Sequence, residues 1–439
     1  MKFKITSITK NKEQLVHYYD NITQDIFTEK GIPVILKNDP RCSNLVVPDY
    51  SPSNKDITYI TNSLKELRIQ VGLNCNFHCK YCNQRFEQQK DKNKSFVKLP
   101  DSVRVRNFVK LLKEKNIQPQ KIVFWGGEPF VYFKLLKILV PALRELYPTT
   151  VMSTISNGSL INKEIIDFLL ENRIALTISH DAFGFNAYRD DKDPLDNPEI
   201  VKEILRYKHE VERIGKYKEL SKKRIFPKIW FGINVVITPA NADVSKIDEY
   251  FRKKLGEPVH WHFESVVKLD CDSKNIVKAF TDEQKKLVLT GLFEKGIKTP
   301  KDTYDLYRDQ VSGMLMALIN KINANNVQYP CDVVNNNVLA TTIDGDILAC
   351  HGASKTDFTV GYLKDFGKVK NTKCIPWSDR EDCYKCPYVA FCRGACSIMS
   401  NEDVKISCEN LQLWKGSQFI CSWYLLFNSI IQKIELVEE

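Results

Sequence analysis

Three cysteines, Cys75, Cys79 and Cys82, crowd the stretch VGLNCNFHCKYCNQ. Thiolates are nucleophiles and soft metal ligands. The spacing therefore offers a metal centre, a dithiol redox pair with one thiol to spare, or coincidence. Three ligands are one short of the four a structural zinc site takes. They are also one short of the four thiolates that usually hold an iron–sulfur cluster. A cluster on three thiolates leaves one iron open to a ligand that is not protein.

The chain has 439 residues and 14 cysteines. Nine lie from Cys331 to Cys421, and Cys42 and Cys271 stand apart. The N-terminus lacks the apolar segment of a secretory signal, and no run is long enough to cross a membrane. The expected compartment is the cytoplasm, where so many thiols argue for metal or redox work rather than disulfides. The late cysteines are ordered: Cys331-x13-Gly345-x4-Cys350, then Cys383-x2-Cys386-x5-Cys392-x3-Cys396. A pair of zinc knuckles is the plain structural reading of that region. The net charge of +10 is spread through a Lys-rich composition, which reads as solvated surface. No basic patch interleaved with aromatics marks a nucleic-acid platform.

Elements must position these thiols. Apolar runs predict strands at 67–73, 121–125, 150–156, 174–179, 229–238 and 259–267. Between them, helical periodicity is expected at 101–116, 132–146, 162–172, 198–214 and 245–255. Asp101 is placed to cap the first, and Pro141 should kink the second. Residues 39–56 and 216–228 read as loops, and 280–325 as helical. Strands alternating with helices imply a parallel sheet curled by right-handed crossovers into an open barrel. In such folds chemistry gathers at the C-terminal strand ends. The three-thiol loop follows the first strand. FWGGEP ends the second, ISNG the third, and SHDAFGFNAYR the fourth. Gly126 and Gly127 allow close backbone approach, and Glu128 can accept from an ammonium. Asp181 suits a ligand or a helix cap. His260 and His262 share a strand face as wall or core residues. Asp344-Gly345 signals a hairpin.

Over about residues 65–270 these motifs resemble the radical S-adenosylmethionine enzymes. The resemblance implies a 4Fe–4S cluster on Cys75, Cys79 and Cys82. Its unique iron would be chelated by the amino and carboxylate groups of S-adenosylmethionine, the source of a 5′-deoxyadenosyl radical. It implies Tyr81 beside the adenine, and Gly126, Gly127 and Glu128 on the methionine. Ser156 and Asn157 would lie on the ribose side, and Arg189 on a carboxylate. The late cysteines resemble the SPASM domain, which usually binds two auxiliary 4Fe–4S clusters. By that likeness Cys331, Cys350 and Cys396 serve the first. Cys383, Cys386 and Cys392 serve the second, with Cys421 favoured over Cys408 as its fourth ligand. The first has three clear ligands, because position 337, where some relatives carry a cysteine, is Asn. An open iron, Cys374 or Cys408 would fill that gap. His351 follows Cys350, where sulfatase-maturating enzymes have Asp. That histidine looks more like thioether-forming maturases, and it is a candidate base or a donor to a cluster sulfur.

The expected fold is α/β, a partial (β/α)6 TIM-like barrel followed by a small cysteine-rich SPASM domain with a β-hairpin. Residues 1–64 form a lead-in, 65–275 the barrel, 276–329 a helical linker and 330–439 the auxiliary-cluster domain. The expected activity is hydrogen abstraction from a peptide, forming a thioether or carbon–carbon cross-link in a ribosomally made precursor. A low-potential donor such as flavodoxin or ferredoxin would supply electrons. The alternatives are a sulfatase-maturase-like side-chain oxidase, a peptide epimerase, a small-molecule dehydrogenase, and a non-enzymatic zinc or electron-transfer protein.

Overall fold

The computed structural model describes residues 1–34, 62–82, 84, 99–190, 192–221, 229–264, 279–298, 306–321, 323–324, 337–352, 358–369 and 374–437. Cys42, Cys271 and Cys331 lie outside them, as does the 39–56 loop. The chain opens on antiparallel strands β1 (Lys2–Thr9), β2 (Gln14–Asp20) and β3 (Ile26–Thr28). Phe3 and Ile5 alternate inward, the period of a half-buried strand.

Six parallel strands follow, hydrogen-bonded to one another in chain order: β4 (Glu66–Gly72), β5 (Lys121–Gly126), β6 (Val151–Ser156), β7 (Ile174–Ser179), β8 (Phe231–Val236) and β9 (Trp261–Glu264). Helices α1 (Asp101–Glu114), α2 (Phe133–Leu146), α3 (Lys163–Glu171), α4 (Pro198–Ser221) and α5 (Ile247–Leu255) occupy the crossovers. This is the partial TIM-like barrel. On β4, Leu67, Ile69 and Val71 are buried in the same core as Val105, Phe108 and Leu112 of α1. The alternate residues Glu66, Arg68 and Gln70 therefore line the opposite, concave face.

Local details differ from expectation. Pro100, not Asp101, is the N-cap of α1 and offers no side-chain bond; Asp101 sits in the first turn, paired with Arg104 at 3.1 Å. α2 continues through Pro141 after a single 3-10 turn at Pro129–Tyr132. α4 runs on to Ser221, so the lysine-rich run begins as helix.

Helices α6 (Asp282–Lys298) and α7 (Leu306–Asn320) lead to a three-stranded extension, β10 (Val338–Thr342), β11 (Asp346–Leu348) and β12 (Thr359–Tyr362). β10 lies parallel to β4, with Ala340 opposite Arg68, and the hairpin strand β11 returns antiparallel. Gly345, with φ of +88°, makes the tight turn. The cysteine-rich region thus begins inside the barrel sheet, not beyond it. The last helix, α8 (Asn401–Phe427), and strand β13 (Ser429–Leu436) close the chain. β13 pairs antiparallel with β1, and Phe419 and Trp423 of α8 are buried with Ile5 and Tyr19. Residues 2–28 thus supply three strands of a four-stranded sheet that the C-terminal strand completes. No described helix is long and apolar enough to cross a membrane.

Candidate functional site

Two loops meet at the C-terminal ends of β4 and β5. The Gly127 N–H donates to Gly72 O at 2.9 Å, and the Glu128 N–H to Asn74 O at 2.9 Å. A Cβ on Gly126, whose φ is +149°, would stand 2.1 Å from Gly72 O; one on Gly127 would stand 2.3 Å from Asn74 O. Only glycine permits that approach. The Tyr132 hydroxyl accepts from Asn74 N at 2.7 Å and braces the same turn. Glu128 is 1% exposed. Its Oε1 accepts from Phe130 N at 3.0 Å and Ser156 Oγ at 2.8 Å, and its Oε2 from Asn157 N at 2.7 Å. Burial pushes its pKa up to about 7 against these bonds. Ser156 is committed to Glu128 and also accepts from Gly158 N at 3.0 Å. The Asn157 amide nitrogen donates to Asn76 Oδ1 at 2.9 Å and lies 3.9 Å from Cys75 Sγ. Asn157 therefore braces the thiol loop, and Ser156 braces Glu128.

The other wall is built on Asp181. It is fully buried and paired with Arg189 Nη2 at 3.0 Å; it accepts from Val236 N at 3.1 Å and from the Tyr81 hydroxyl. It makes no helix-cap bond. Arg189 lies 5.5 Å over the Tyr81 ring, and its buried Nε has no partner. The thiol loop is tied to this wall through Lys80 N, 2.7 Å from Tyr188 O. Burial pushes Cys75 up to about 11 and Cys79 up to about 12, with repulsion from Cys82 adding to both. Metal-free, these thiols stay protonated at neutral pH, and a cation must replace the protons. The Phe77 N–H already points at Cys75 Sγ at 3.4 Å, a donor suited to a thiolate.

Along the concave face, Arg68 Nη1 lies 2.6 Å from His351 Nδ1, and the Trp125 ring meets the His351 ring edge-on at 4.7 Å. Arginine can only donate, so Nδ1 accepts and the proton sits on Nε2. Burial, with Arg68 adding to it, pushes His351 down to about 3. Of the two roles expected of His351, base or donor, this geometry suits the donor, because Nδ1 is occupied by Arg68 and Nε2 carries the proton. Trp125 Nε1 and Asn234 Oδ1 are buried without hydrogen-bond partners on the same sheet. Spacing alone did not single out Arg68, Trp125 or Asn234. The signal was present in ELRIQVG, where polar residues alternate with apolar ones. His262 is half-buried, 3.4 Å from Glu264; His260 precedes β9 and is exposed.

The C-terminal thiols fall into separate groups. Cys383, Cys386, Cys392 and Cys408 line one cavity of about 570 Å³. Cys421 does not. It lies thirteen residues beyond Cys408 on α8, about 20 Å at 1.5 Å per residue. It is fully buried, 4.0 Å from the Tyr307 hydroxyl and 3.9 Å from Phe293 O. Cys421 is therefore a packed thiol, and Cys408 is the later cysteine that joins the other three at this cavity. Cys396 faces elsewhere, its sulfur accepting from the N–H groups of Ile398 and Met399. Cys350 Sγ accepts from Gly352 N at 3.3 Å. Among the described residues no three His, Cys, Asp or Glu side chains close tightly on a single ion.

The Radical SAM superfamily model matches residues 69–239, which include the three-thiol loop, the Gly-Gly-Glu turn and the Asp181 wall. Residues 69–239 form a radical SAM domain. That superfamily implies S-adenosylmethionine and a 4Fe–4S cluster. Among curated relatives, the radical SAM cyclopropyl synthase TigE of Paramaledivibacter caminithermalis is 24% identical over 33% of this chain and 34% of its own. The S-adenosylmethionine-dependent nucleotide dehydratase of Psychrobacter lutiphocae is 24% identical over 38% of this chain and 54% of its own. The chain thus spans about a third to a half of the length of these relatives. The solved structure of native anSMEcpe with bound AdoMet is 20% identical with a TM-score of 0.55, covering 82% of this chain and 98% of that one. The same protein with AdoMet and Cp18Cys peptide is 20% identical with a TM-score of 0.54, covering 83% and 97%.

Proposed function

We propose that the chain is a radical S-adenosylmethionine enzyme that takes a hydrogen atom from a peptide and closes a thioether or carbon–carbon cross-link in it. The carrying observation is the seam of two loops that holds Cys75, Cys79 and Cys82 against Gly127 and Glu128. In this reading those thiolates hold the 4Fe–4S cluster. Gly126, Gly127 and Glu128 shape the methionine site, and Ser156 and Asn157 keep Glu128 and Cys75 in register. Tyr81 offers a face to the adenine, and the unpartnered Nε of Arg189 is a donor for a carboxylate. When bound, the cluster and S-adenosylmethionine supply a 5′-deoxyadenosyl radical.

The substrate would lie along the concave face. Trp125 Nε1 can donate and Asn234 Oδ1 can accept, the two halves of an amide. His351, locked by Arg68 with its proton on Nε2, is a second donor. A neutral donor there disfavours a proton-abstracting base and hence the sulfatase-maturase-like oxidase. Cys383, Cys386, Cys392 and Cys408 would hold one auxiliary cluster, and Cys350 and Cys396 belong to another. Closing a cross-link releases an electron, which auxiliary clusters can accept. A precursor peptide and a ferredoxin- or flavodoxin-like donor in the cytoplasm are the partners.

The test is anaerobic reconstitution with iron and sulfide, followed by a 5′-deoxyadenosine assay with dithionite and S-adenosylmethionine. About twelve irons are expected, with about four lost in a Cys75→Ala/Cys79→Ala/Cys82→Ala variant. Deoxyadenosine should form only with the wild type. Zinc in place of iron, with no deoxyadenosine, would falsify the reading.

A further inference from the structure

The auxiliary site that contains Cys396 lacks a fourth ligand by sequence pattern, and Cys374 lies beside Cys396 in the fold. The Ile375 N–H donates to Ser397 O at 2.7 Å, pinning the 374–375 backbone beside the 396–397 turn. The Ser397 hydroxyl is 1% exposed and makes no hydrogen bond of normal geometry. Its neighbour is the Cys374 thiol. A buried hydroxyl with no other partner costs stability unless something nearby accepts its proton, and a metal-bound thiolate is such an acceptor. Cys396 is furnished in the same way, its sulfur facing the N–H groups of Ile398 and Met399. Arg380 fixes this turn by donating to Cys396 O at 3.0 Å and Met399 O at 2.9 Å. The other candidate, Cys408, is already placed with Cys383, Cys386 and Cys392 around the separate cavity.

We propose that Cys374 is a ligand of the same auxiliary cluster as Cys396, replacing the cysteine that Asn337 does not supply. The proposal rests on the auxiliary-cluster reading above. On ligation the thiol proton leaves to solvent and the sulfur binds iron. With Cys374 in place the cluster presents no open iron. It then serves electron transfer and does not bind a substrate thiolate.

The experiment starts from the Cys75→Ala/Cys79→Ala/Cys82→Ala chain, reconstituted anaerobically, so that about eight auxiliary irons remain. A parent without auxiliary iron refutes the auxiliary-cluster reading itself, separately from Cys374. Cys374→Ala in that parent should lose between about one and four irons, or show the electron paramagnetic signal of a three-iron cluster. Cys374→Ser keeps an oxygen ligand. It should hold its iron and shift the spectrum of one reduced cluster while leaving the other unchanged. Imidazole should leave the parent spectrum unaltered, because no iron is open. Full iron with unchanged spectra in both Cys374 variants, or a parent spectrum altered by imidazole, overturns the proposal.

Discussion

Gly127→Ala puts the two-loop seam under direct test. An added Cβ would stand 2.3 Å from Asn74 O and 2.4 Å from Leu73 O, both main-chain atoms with no side-chain torsion to release. An ordinary contact needs at least about 1 Å more, so either the Gly-Gly-Glu turn or the thiol loop must move by that amount. Overpacking of this kind costs about 1–3 kcal/mol. Misplacement by about 1 Å at a reacting centre costs on the order of a hundredfold in rate. Because the three thiols share one loop, they move together and should still hold about four irons. The expected variant therefore folds, retains that iron, binds S-adenosylmethionine more than about tenfold more weakly, and makes deoxyadenosine about a hundredfold more slowly. Iron analysis, equilibrium dialysis with labelled S-adenosylmethionine and single-turnover product formation separate these effects. Binding and turnover within twofold of wild type would show that the close approach does not shape the cofactor site.

Two further outcomes follow from the geometry. In the triple-alanine parent, Cys408→Ala should lose about four irons, whereas Cys421→Ala should lose none and only lower the thermal midpoint, as removal of a packed thiol does; iron analysis with a melting curve decides. His180 Nδ1 accepts from Ala182 N at 3.0 Å and its Nε2 donates to Asp193 at 2.8 Å, so the buried ring is neutral among Asp193, Asp181 and Arg189. Burial lowers its pKa, opposed by the Asp193 bond. A histidine with a depressed pKa contributes stability that is complete above about 6.5 and declines as the pH falls below it. Urea unfolding of the metal-free chain should therefore weaken from pH 7 to 5. His180→Gln should flatten that slope, and an equal slope in the variant would remove His180 as its cause.

The barrel was legible because its code is local. Each of the six parallel strands overlaps a predicted run and overshoots it by at most one residue, as at Glu66 and Gly126, and KEIIDFLLE was bounded correctly because Asn162 caps it through Ile165 N. The strand-end motifs were legible for the same reason: a thiol loop, a Gly-Gly turn and an acidic wall each occupy one short segment. What failed needed partners remote in sequence. FKITSIT has strand alternation, yet its partner lies more than 400 residues later, with Ile5 opposite Ile434. His351 stayed open as base or donor because Arg68, 283 residues away, cannot be seen from its neighbours. Cys421 looked like a ligand because it closes the cysteine pattern. Only the unbroken helix from Asn401 to Phe427 shows how far it lies from Cys408.

Strand β4 ties the two chemistries together. Its C-terminal end, Gly72, abuts the Gly-Gly-Glu turn, and four residues earlier Arg68 holds His351, the neighbour of Cys350. Four residues of strand span about 13 Å. The separation between the thiol loop and the Cys350 region is thus set by one strand, itself hydrogen-bonded on both sides by β5 and β10. A hinge between a barrel and an appended module would let that separation vary. A shared sheet does not, because sliding β10 by one residue would turn its alternate side chains to the other face. In the proposed reading, Trp125 and His351 on the concave face then stand at a fixed distance from the thiol loop. The proposed peptide would present its reacting carbon near the thiol loop while its flanking amides meet donors and acceptors on the concave face. An extended peptide meets that demand. A compact small molecule would leave the buried Trp125 Nε1 and Asn234 Oδ1 unpaired, at about 1–3 kcal/mol each.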